Sequence, residues 1–254
     1  MSMAALPLLG KVVLVTGGAG GIGSAICRTL ASQGATLIVG YHSSLAAATA
    51  LLDEPPFQGR QHRTLAVNVK DSAQLEQAAS EIAHGFGRLD MLVNCAGTTR
   101  FVPADDLYGL DDALIDDVLM TNVRGPIIVI RALRALLAKS DSALIVNISS
   151  IAAQTAMGSN IVYCASKAAL DNLTKSLGRA LAPAIRVVSI APGLVDTAFV
   201  KQMPQAWRDE QIAKTPLGHL TSPEQVALAV SAAATHLTFS TGTIFSVDGG
   251  RPLS

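Results

Sequence analysis

Short apolar runs alternate with longer amphipathic segments along nearly the whole chain. Each run holds four to six residues and most are rich in Val, Ile and Leu, as in KVVLVT at residues 11–16. Runs of this kind are typical of strands buried on both faces of a parallel sheet. The predicted strands are residues 11–16, 36–39, 64–67, 89–93, 144–148, 185–190 and 243–247.

Helical periodicity fills most of the gaps between these strands. Leu75, Ile82 and Phe86, for example, fall on one face of a helix. The predicted helices are residues 24–33, 44–52, 72–86, 110–138, 161–181 and 223–235, the fourth broken near Gly125 and Pro126. The alternation predicts an α/β fold: one Rossmann-type domain over residues 1–254, a doubly wound parallel sheet of about seven strands with helices on both faces.

Composition excludes several classes of protein. The chain has 254 residues, a formal net charge of zero and 50% hydrophobic residues, which suits one large core and offers no basic surface for nucleic acid. Its three cysteines are widely spaced, and its five histidines show no metal-ligand spacing. We therefore predict free thiols in a reducing compartment and no metal site.

The distribution of apolar residues argues against a membrane protein. The run at residues 125–138 is broken by Arg131 and Arg134, and no uninterrupted apolar run approaches the length of a bilayer span. Residues 1–10 contain an apolar patch without a basic segment before it, so we expect no signal peptide. These features predict a cytoplasmic protein whose partner is a small molecule.

A glycine cluster, TGGAGGIG at residues 16–23, lies between the first predicted strand and the first predicted helix. Glycines there permit a positive φ and close backbone approach, and they leave the helix N-terminus bare to bind pyrophosphate. Gly18, Gly20 and Gly23 match the common dinucleotide fingerprint. Gly17, Gly21 and Gly23 match a second template. Either reading predicts a dinucleotide site.

The residues after the second predicted strand bear on which nucleotide is bound. An acid in this place would hold the ribose 2′-hydroxyl of NAD and would repel the 2′-phosphate of NADP. The chain instead has Tyr41, His42, Ser43 and Ser44, whose polar groups can donate to a phosphate. This favours NADP(H) over NAD(H), although no Arg or Lys accompanies them.

Tyr163 and Lys167 are four residues apart in a predicted helix, so their side chains project from the same face. An ammonium beside a phenol favours the phenolate and lowers the pKa of the phenol from its reference value of about 10. The pair is therefore a candidate general acid or base.

Six motifs together resemble those of the short-chain dehydrogenase/reductase family over most of the chain. They are the glycine loop at residues 16–23, NCAG at 94–97, Asn122, NISS at 147–150, Tyr163-x3-Lys167 and Pro192-Gly193. The segments TPLG at 215–218, SPE at 222–224 and VDGG at 247–250 are similar to the branch that contains 3-oxoacyl-carrier-protein reductases. That branch also contains sugar, polyol and general carbonyl reductases.

The resemblance implies a set of site residues. The catalytic residues are Asn122, Ser150, Tyr163 and Lys167, the serine being the one thirteen residues before the tyrosine. The cofactor-binding residues, with the four after the second strand, are Gly17, Gly21, Ile22, Gly23, Tyr41, His42, Ser43, Ser44, Asn68, Val69, Asn94, Ala96, Gly97, Tyr163, Lys167, Pro192, Gly193, Val195 and Thr197.

Three positions depart from the family pattern. Asn68 stands where an aspartate usually meets the adenine ring, Cys95 replaces the second asparagine of Asn-Asn-Ala-Gly, and Tyr41 replaces the acid that selects NAD. The cysteine puts a structural hydrogen bond in question, and the tyrosine again favours NADP(H).

The resemblance implies an NADP(H)-dependent oxidoreductase that moves a hydride between nicotinamide and a carbonyl or secondary alcohol, with Tyr163 as general acid or base. Ser150 would donate to the substrate oxygen, Lys167 would contact the nicotinamide ribose, and Asn122 would hold a water. A lid over the substrate at residues 194–219, containing Met203 and Trp207, and a homotetramer are also implied. An NAD-dependent sugar, polyol or other secondary-alcohol dehydrogenase, and a non-catalytic nucleotide-sensing regulator, stay open.

Overall fold

The apolar runs of the sequence form the strands of a single parallel sheet. The computed structural model describes residues 6–253, without the side chain of Phe199, and it has seven strands in that part of the chain. They are β1 Val12–Thr16, β2 Thr36–Tyr41, β3 Arg63–Ala66, β4 Met91–Asn94, β5 Ala143–Ile148, β6 Ile185–Pro192 and β7 Thr243–Val247. Their order is β3-β2-β1-β4-β5-β6-β7, and every neighbouring pair is parallel.

Helices connect the strands. They are α1 Gly21–Ser32, α2 Leu45–Leu52, α3 Ser72–Phe86, α4 Asp112–Leu119, α5 Gly125–Leu137, α6 Ala152–Thr155, α7 Ile161–Ala180, α8 Ala198–Lys201, α9 Gln205–Ala213 and α10 Pro223–Thr235. Short 3₁₀ turns lie at Pro55–Phe57 and Arg251–Leu253. The ends of the chain, residues 1–5 and 254, lie outside the described residues, so the predicted domain limits and the signal-peptide expectation are not fully covered.

The sheet has an apolar core on each face. Val13 and Val15 of β1 point to one side, where Ile26 of α1 and Val230 of α10 cover them. Their neighbours along the same strand belong to the opposite core, which α3 and α5 cover. Because successive strand residues alternate between faces, burial of all five β1 residues requires helices on both sides. The predicted doubly wound fold is confirmed.

The long helix predicted at residues 110–138 contains a π turn, Met120–Arg124, that joins α4 to α5. The sequence prediction put a break near Gly125 and Pro126, just after this turn. Pro126 lies in the first turn of α5, a position where its missing N–H is tolerated. The irregularity therefore falls one turn earlier than predicted, and it includes the buried Asn122.

Two segments without a clear sequence pattern are also helical. The predicted lid region contains α8 and α9, and the latter is tied to the preceding loop by Arg208, whose Nη2 lies 3.6 Å from Oδ1 of Asp196. The segment after β5 forms the single turn α6. In addition, α1 begins at Gly21, three residues before the predicted start, because Gly20 serves as its N-cap.

Candidate active site

The predicted site residues lie at one edge of the sheet. Parallel strands end at a common edge, and the segments that follow β1 to β6 carry these residues. The strand order reverses about β1, which lies between β2 and β4. A crevice at such a switch point is where open α/β sheets bind ligands. The fold thus brings residues from six separate parts of the sequence to one place.

Tyr163 and Lys167 lie on the first two turns of α7 with the geometry that their spacing predicts. The Lys167 Nζ atom is 5.6 Å from the centroid of the Tyr163 ring. It also donates a hydrogen bond of 2.8 Å to the carbonyl oxygen of Ile148, at the end of β5. The buried lysine is therefore held between the sheet and the tyrosine.

Burial dominates the protonation of both groups. Burial raises the pKa of the Tyr163 phenol, although a hydrogen bond with Ser150 opposes this effect. Burial lowers the pKa of Lys167 to about 8, while the charges of Cys95 and Asp171 act in the opposite direction. The expected lowering of the Tyr163 pKa by Lys167 is thus not found, because burial of the phenol outweighs the effects that favour the phenolate. The phenol therefore stays protonated at neutral pH.

Ser150 stands at the carboxyl end of β5, beside the phenol. Its Oγ accepts a hydrogen bond of 3.1 Å from the main-chain N–H of Ala152, and its hydroxyl interacts with Tyr163. Two hydroxyl groups, those of Ser150 and Tyr163, therefore face the same space. This is the arrangement required to contact one substrate oxygen.

Both the oxygen and the nitrogen of the Asn122 side-chain amide form hydrogen bonds. Its Oδ1 accepts from the N–H of Thr98 at 2.9 Å, and its Nδ2 donates to the carbonyl of Thr98 at 3.0 Å. The same Nδ2 lies 3.2 Å from Oγ of Ser166, which in turn donates to the carbonyl of Tyr163 at 2.7 Å. The asparagine therefore joins the π turn, the segment after β4 and helix α7.

The glycine loop has the shape of a pyrophosphate cradle. Gly17 has a φ of +64°, and a Cβ on Gly23 would lie 2.2 Å from the carbonyl oxygen of Gly17. A Cβ on Gly21 would lie 3.2 Å from Cγ2 of Thr197, across the crevice. No side chain caps the N-terminus of α1. The space and the bare helix end both fit a dinucleotide phosphate.

Polar groups that could contact a ligand lie at the end of β4 and in the turn that follows it. Asn94 donates from Nδ2 to Asn147 at 2.9 Å, whereas its buried Oδ1 has no partner among the described residues. Thr16 Oγ1 accepts from the N–H groups of Cys95 and Ala96, at 3.1 Å each. This threonine holds the turn despite the cysteine, and burial raises the pKa of the Cys95 thiol to about 12. A buried acceptor without a donor favours an external ligand.

Gly97 accounts for the closeness of that turn to Asn122 and Lys167. A Cβ at this position would lie 3.4 Å from Oδ1 of Asn122 and 3.8 Å from Nζ of Lys167. A larger residue would occupy the space beside the ammonium.

The residues assigned to the adenosine end lie on the opposite side of the glycine loop. Tyr41 is half-buried at the end of β2, and His42, Ser43 and Ser44 are exposed. Asn68 follows β3, and its Oδ1 accepts a hydrogen bond of 3.0 Å from the N–H of Lys70. Val69, also after β3, packs in the core beneath it.

The remaining predicted contacts follow β6. Pro192 ends the strand, Gly193 comes next, and Val195 is buried and bridges to Thr221. The N–H of Thr197 donates to the carbonyl of Val195 at 2.7 Å, which turns the threonine towards the glycine loop. A ligand on the loop would therefore meet residues from both β1 and β6.

Sequence reasoning missed Asn160. Its Oδ1 accepts from the N–H of Tyr163 at 2.7 Å and so caps α7, while its Nδ2 donates to the carbonyl of Arg100 at 2.8 Å. The signal was an asparagine at the predicted N-cap position before residue 161. Its distant partner was not readable from the sequence.

Two further site types find no structural support. Within residues 6–253, no group of three or more His, Cys, Asp or Glu side chains is arranged to hold a metal ion. Over the same stretch, no helix has both the length and the apolar character needed to cross a bilayer.

Comparison with known proteins identifies similar sequences over the whole fold. A family model described as short chain dehydrogenase matches residues 11–207. The 3-oxoacyl-[acyl-carrier-protein] reductase of Escherichia coli is 33% identical over 95% of this chain and 97% of its own length. D-Threitol dehydrogenase of Mycolicibacterium smegmatis is 34% identical over 95% of this chain and 92% of its own.

Solved structures agree with these sequence matches. A short-chain dehydrogenase/reductase from Serratia marcescens has a TM-score of 0.88 and 32% identity. The comparison covers 97% of this chain and 99% of that protein.

Proposed function

The chain belongs to the short chain dehydrogenase family and is an oxidoreductase of CH–OH and C=O groups, and from this premise we propose that it uses NADP(H) to interconvert a carbonyl compound and a secondary alcohol. The observation that carries the proposal is the convergence of Ser150, Tyr163 and Lys167 beside a glycine cradle. A nicotinamide bound there supplies or accepts the hydride.

Each of these side chains has a task that its surroundings support. Ser150 donates a hydrogen bond to the substrate oxygen, where negative charge develops during reduction. Tyr163 gives that oxygen its proton, or removes the proton in the oxidative direction. Its raised pKa keeps the phenol in the donor form at neutral pH. Lys167 contributes a positive charge near the phenolate that forms when the proton leaves.

We assign Asn122 to a water path from Lys167 to solvent. The carbonyl of Asn122 would normally accept from the N–H of the residue four positions later in an α-helix. That residue is Pro126, which has no N–H. The side-chain amide is already bound to Thr98, so a water would bind at the main-chain oxygen. The missing N–H of Pro126 thus supports this proposal.

The preference for NADP(H) rests on the end of β2. No carboxylate lies among Tyr41, His42, Ser43 and Ser44 to repel a 2′-phosphate, and the three after Tyr41 are exposed to it. The second candidate is an NAD-dependent polyol dehydrogenase, which the similarity to D-threitol dehydrogenase favours. A nucleotide-sensing regulator has less support, because all four catalytic positions are filled.

Residues 194–219 are proposed to form a lid over the substrate. Asp196 anchors this segment through Arg208 of α9 and through Lys201, whose Nζ lies 3.7 Å from Oδ2 of the aspartate. Trp207 and Met203 are half-buried there and would contact an apolar part of the substrate. Because Thr197 follows Asp196 directly, lid position and cofactor binding would be coupled.

The chain is proposed to form a homotetramer in which α4, α5 and α7 pair across a two-fold axis. Leu119, Ile127 and Ile161 are each 39–43% exposed on these helices. Pairing would cover such side chains. Sedimentation as a tetramer supports this assembly, and sedimentation as a monomer contradicts it.

The three cysteines are free thiols, in keeping with a cytoplasmic protein.

A screen tests the function. The purified protein is mixed with ketones, 3-oxoacyl thioesters, and sugar or polyol alcohols, each with both nicotinamide cofactors. The absorbance of the reduced cofactor reports turnover. Reduction of a ketone or 3-oxoacyl thioester by NADPH supports the proposal, whereas turnover only of a polyol with NAD⁺ supports the second candidate. Tight nucleotide binding without turnover of any compound favours the regulator.

A further inference from the structure

A row of polar side chains continues along α7 beyond the catalytic pair. Tyr163, Lys167, Asp171 and Thr174 are spaced by four, four and three residues, so they share one helix face. The last three are buried, with 6%, 7% and 0% of their surfaces exposed. A buried carboxylate is costly unless it is paired, so Asp171 requires an explanation.

This helix face packs against the ends of β5 and β6. Thr174 Oγ1 accepts from Nδ2 of Asn147 at 2.8 Å and lies 2.8 Å from Oγ of Ser189. Lys167 meets the Ile148 carbonyl, one residue further along β5. Asp171 lies between these two contacts along the helix, beside Ser149 and Ser189. Its carboxylate therefore faces the residue that directly precedes Ser150.

The side chains of Asp171 and Ser149 have complementary hydrogen-bonding groups. Oδ1 of Asp171 and Oγ of Ser149 are both buried, and neither atom has a hydrogen-bond partner within residues 6–253. A carboxylate oxygen only accepts, and a hydroxyl donates. The electrostatic interaction between the two is nevertheless the largest one that favours the ionised Asp171.

We propose that Asp171 is a positioning residue of the hydride-transfer site: it accepts a hydrogen bond from Ser149, which holds the turn that carries Ser150, and its negative charge keeps Lys167 an ammonium ion. The proposal rests on the proposed function, in which both Ser150 and Lys167 act on the reacting groups. No contact of Asp171 with substrate or cofactor is implied.

The charges around the two residues determine the size of the effect. Burial lowers the pKa of Lys167 to about 8, and the negative charges that oppose it come from Cys95 and Asp171. Burial raises the pKa of the Cys95 thiol to about 12, so the thiol is neutral at neutral pH and Asp171 is the remaining source of negative charge beside Lys167. Tyr163, the other titratable group beside the ammonium, is also neutral.

The groups facing Asp171 favour its ionised form and oppose the effect of burial. Burial raises the pKa of its carboxyl group, whereas Ser149, the ammonium groups of Lys175 and Lys167, and Ser189 lower it. Three of these groups lie on the sheet or beside the catalytic tyrosine, and only Lys175 is on the exposed side of α7. Most of the groups that favour the ionised form of Asp171 thus belong to the site that Asp171 is proposed to position.

The decisive variant is Asp171→Asn, which keeps the shape and removes the charge. We expect the alkaline limb of the pH profile of kcat/KM to move at least about half a pH unit to lower pH. The loss of kcat/KM would then be at least about twofold near pH 8, at least about threefold above pH 9, and negligible near pH 6. Asp171→Glu should restore much of the limb position. Thr174→Val, a change on the same buried face without a charge, should lower Tm and leave the limb where it is.

A cofactor-free measurement is independent of turnover. In protein labelled with ¹³C at lysine Cε, the resonance of Lys167 should titrate near pH 8 in the native chain and at lower pH in Asp171→Asn. If Asp171→Asn does not fold, Ser149→Ala tests the same contact from its other side. In this variant kcat should fall several-fold, while the alkaline limb of the pH profile of kcat/KM should stay at its native position. Unchanged kcat in Ser149→Ala overturns the proposal.

The outcomes separate this proposal from the proposed function. A pH profile and a Lys167 titration that are both unmoved in Asp171→Asn overturn the positioning role alone, provided that Tyr163→Phe is inactive. Full turnover in Tyr163→Phe overturns the proposed function instead.

Discussion

Asn122 and Thr98 are joined by two hydrogen bonds, with the asparagine amide accepting at 2.9 Å and donating at 3.0 Å. The pair ties the π turn to the segment that follows the NCAG motif. Asn122 is 1% exposed, so water cannot readily replace either bond.

Asn122→Ala should therefore lower the free energy of unfolding by about 2 kcal/mol, because it leaves a main-chain N–H and a carbonyl of Thr98 without partners. Urea denaturation of the cofactor-free protein measures the change. Asn172→Ala, at an exposed position of α7, is the control and should change the free energy by less than about 0.5 kcal/mol. Equal effects of the two substitutions would show that the two bonds do not stabilise the fold.

The contribution of Lys167 to the stability of the protein should rise with pH, whereas the buried thiols of Cys27 and Cys95, whose pKa values are raised, act in the opposite direction at alkaline pH. The pKa of Lys167 is about 8 in the folded state and about 10.4 in the unfolded chain. Between these values the unfolded chain binds the extra proton, so the free energy of unfolding increases with pH, by at most about 3 kcal/mol from this group. Below pH 8 both states are protonated and the full cost of the buried ammonium remains.

Lys167→Met should remove this rise and be more stable than the native chain near pH 7. The measurement is urea denaturation from pH 7 to 10 for the native chain and Lys167→Met. Lys175→Met changes an exposed lysine of the same helix and should keep the rise. Parallel curves for the native chain and Lys167→Met would contradict the lowered pKa.

Cofactor choice should respond to a single charge at the end of β2. Tyr41→Asp places a carboxylate where it accepts a hydrogen bond from a ribose hydroxyl and repels a 2′-phosphate. We expect the ratio of Kd for NADPH to Kd for NADH to increase at least about tenfold, equivalent to about 1.4 kcal/mol. Calorimetric titration of both nucleotides measures it. Tyr41→Asn has nearly the same shape without the charge, and an equal shift in that variant would exclude electrostatic selection.

The strands could be predicted because each one is recognisable from its own short run of residues. A run such as KVVLVT has few conformations in which every side chain is buried, and β1 is indeed Val12–Thr16. The glycine loop and the Tyr163–Lys167 spacing were readable for a similar reason: both depend on neighbours within a few residues of the sequence.

Other features depend on partners that are distant in the sequence. The helical pattern around Asn122 is the same for an α-turn and a π turn, and only the packing of Asn122 against Thr98 and Ser166 distinguishes them. The helix α9 has a weak pattern and is fixed by Arg208 against Asp196. The direction of the Tyr163 pKa shift also could not be predicted from the sequence. The spacing to Lys167 does not reveal how deeply the phenol is buried, and burial is the largest influence on its pKa.

The central claim is that Tyr163 transfers the proton, and kcat of Tyr163→Phe tests it most directly. The substitution removes one hydroxyl and keeps the ring beside Lys167, so Kd for NADPH should change by less than about threefold. With the substrate found in the screen, kcat should fall by about 10²–10⁴-fold. Tyr108→Phe, at a fully exposed tyrosine, should retain the native kcat. A Tyr163→Phe enzyme with kcat within about threefold of the native value would contradict the account.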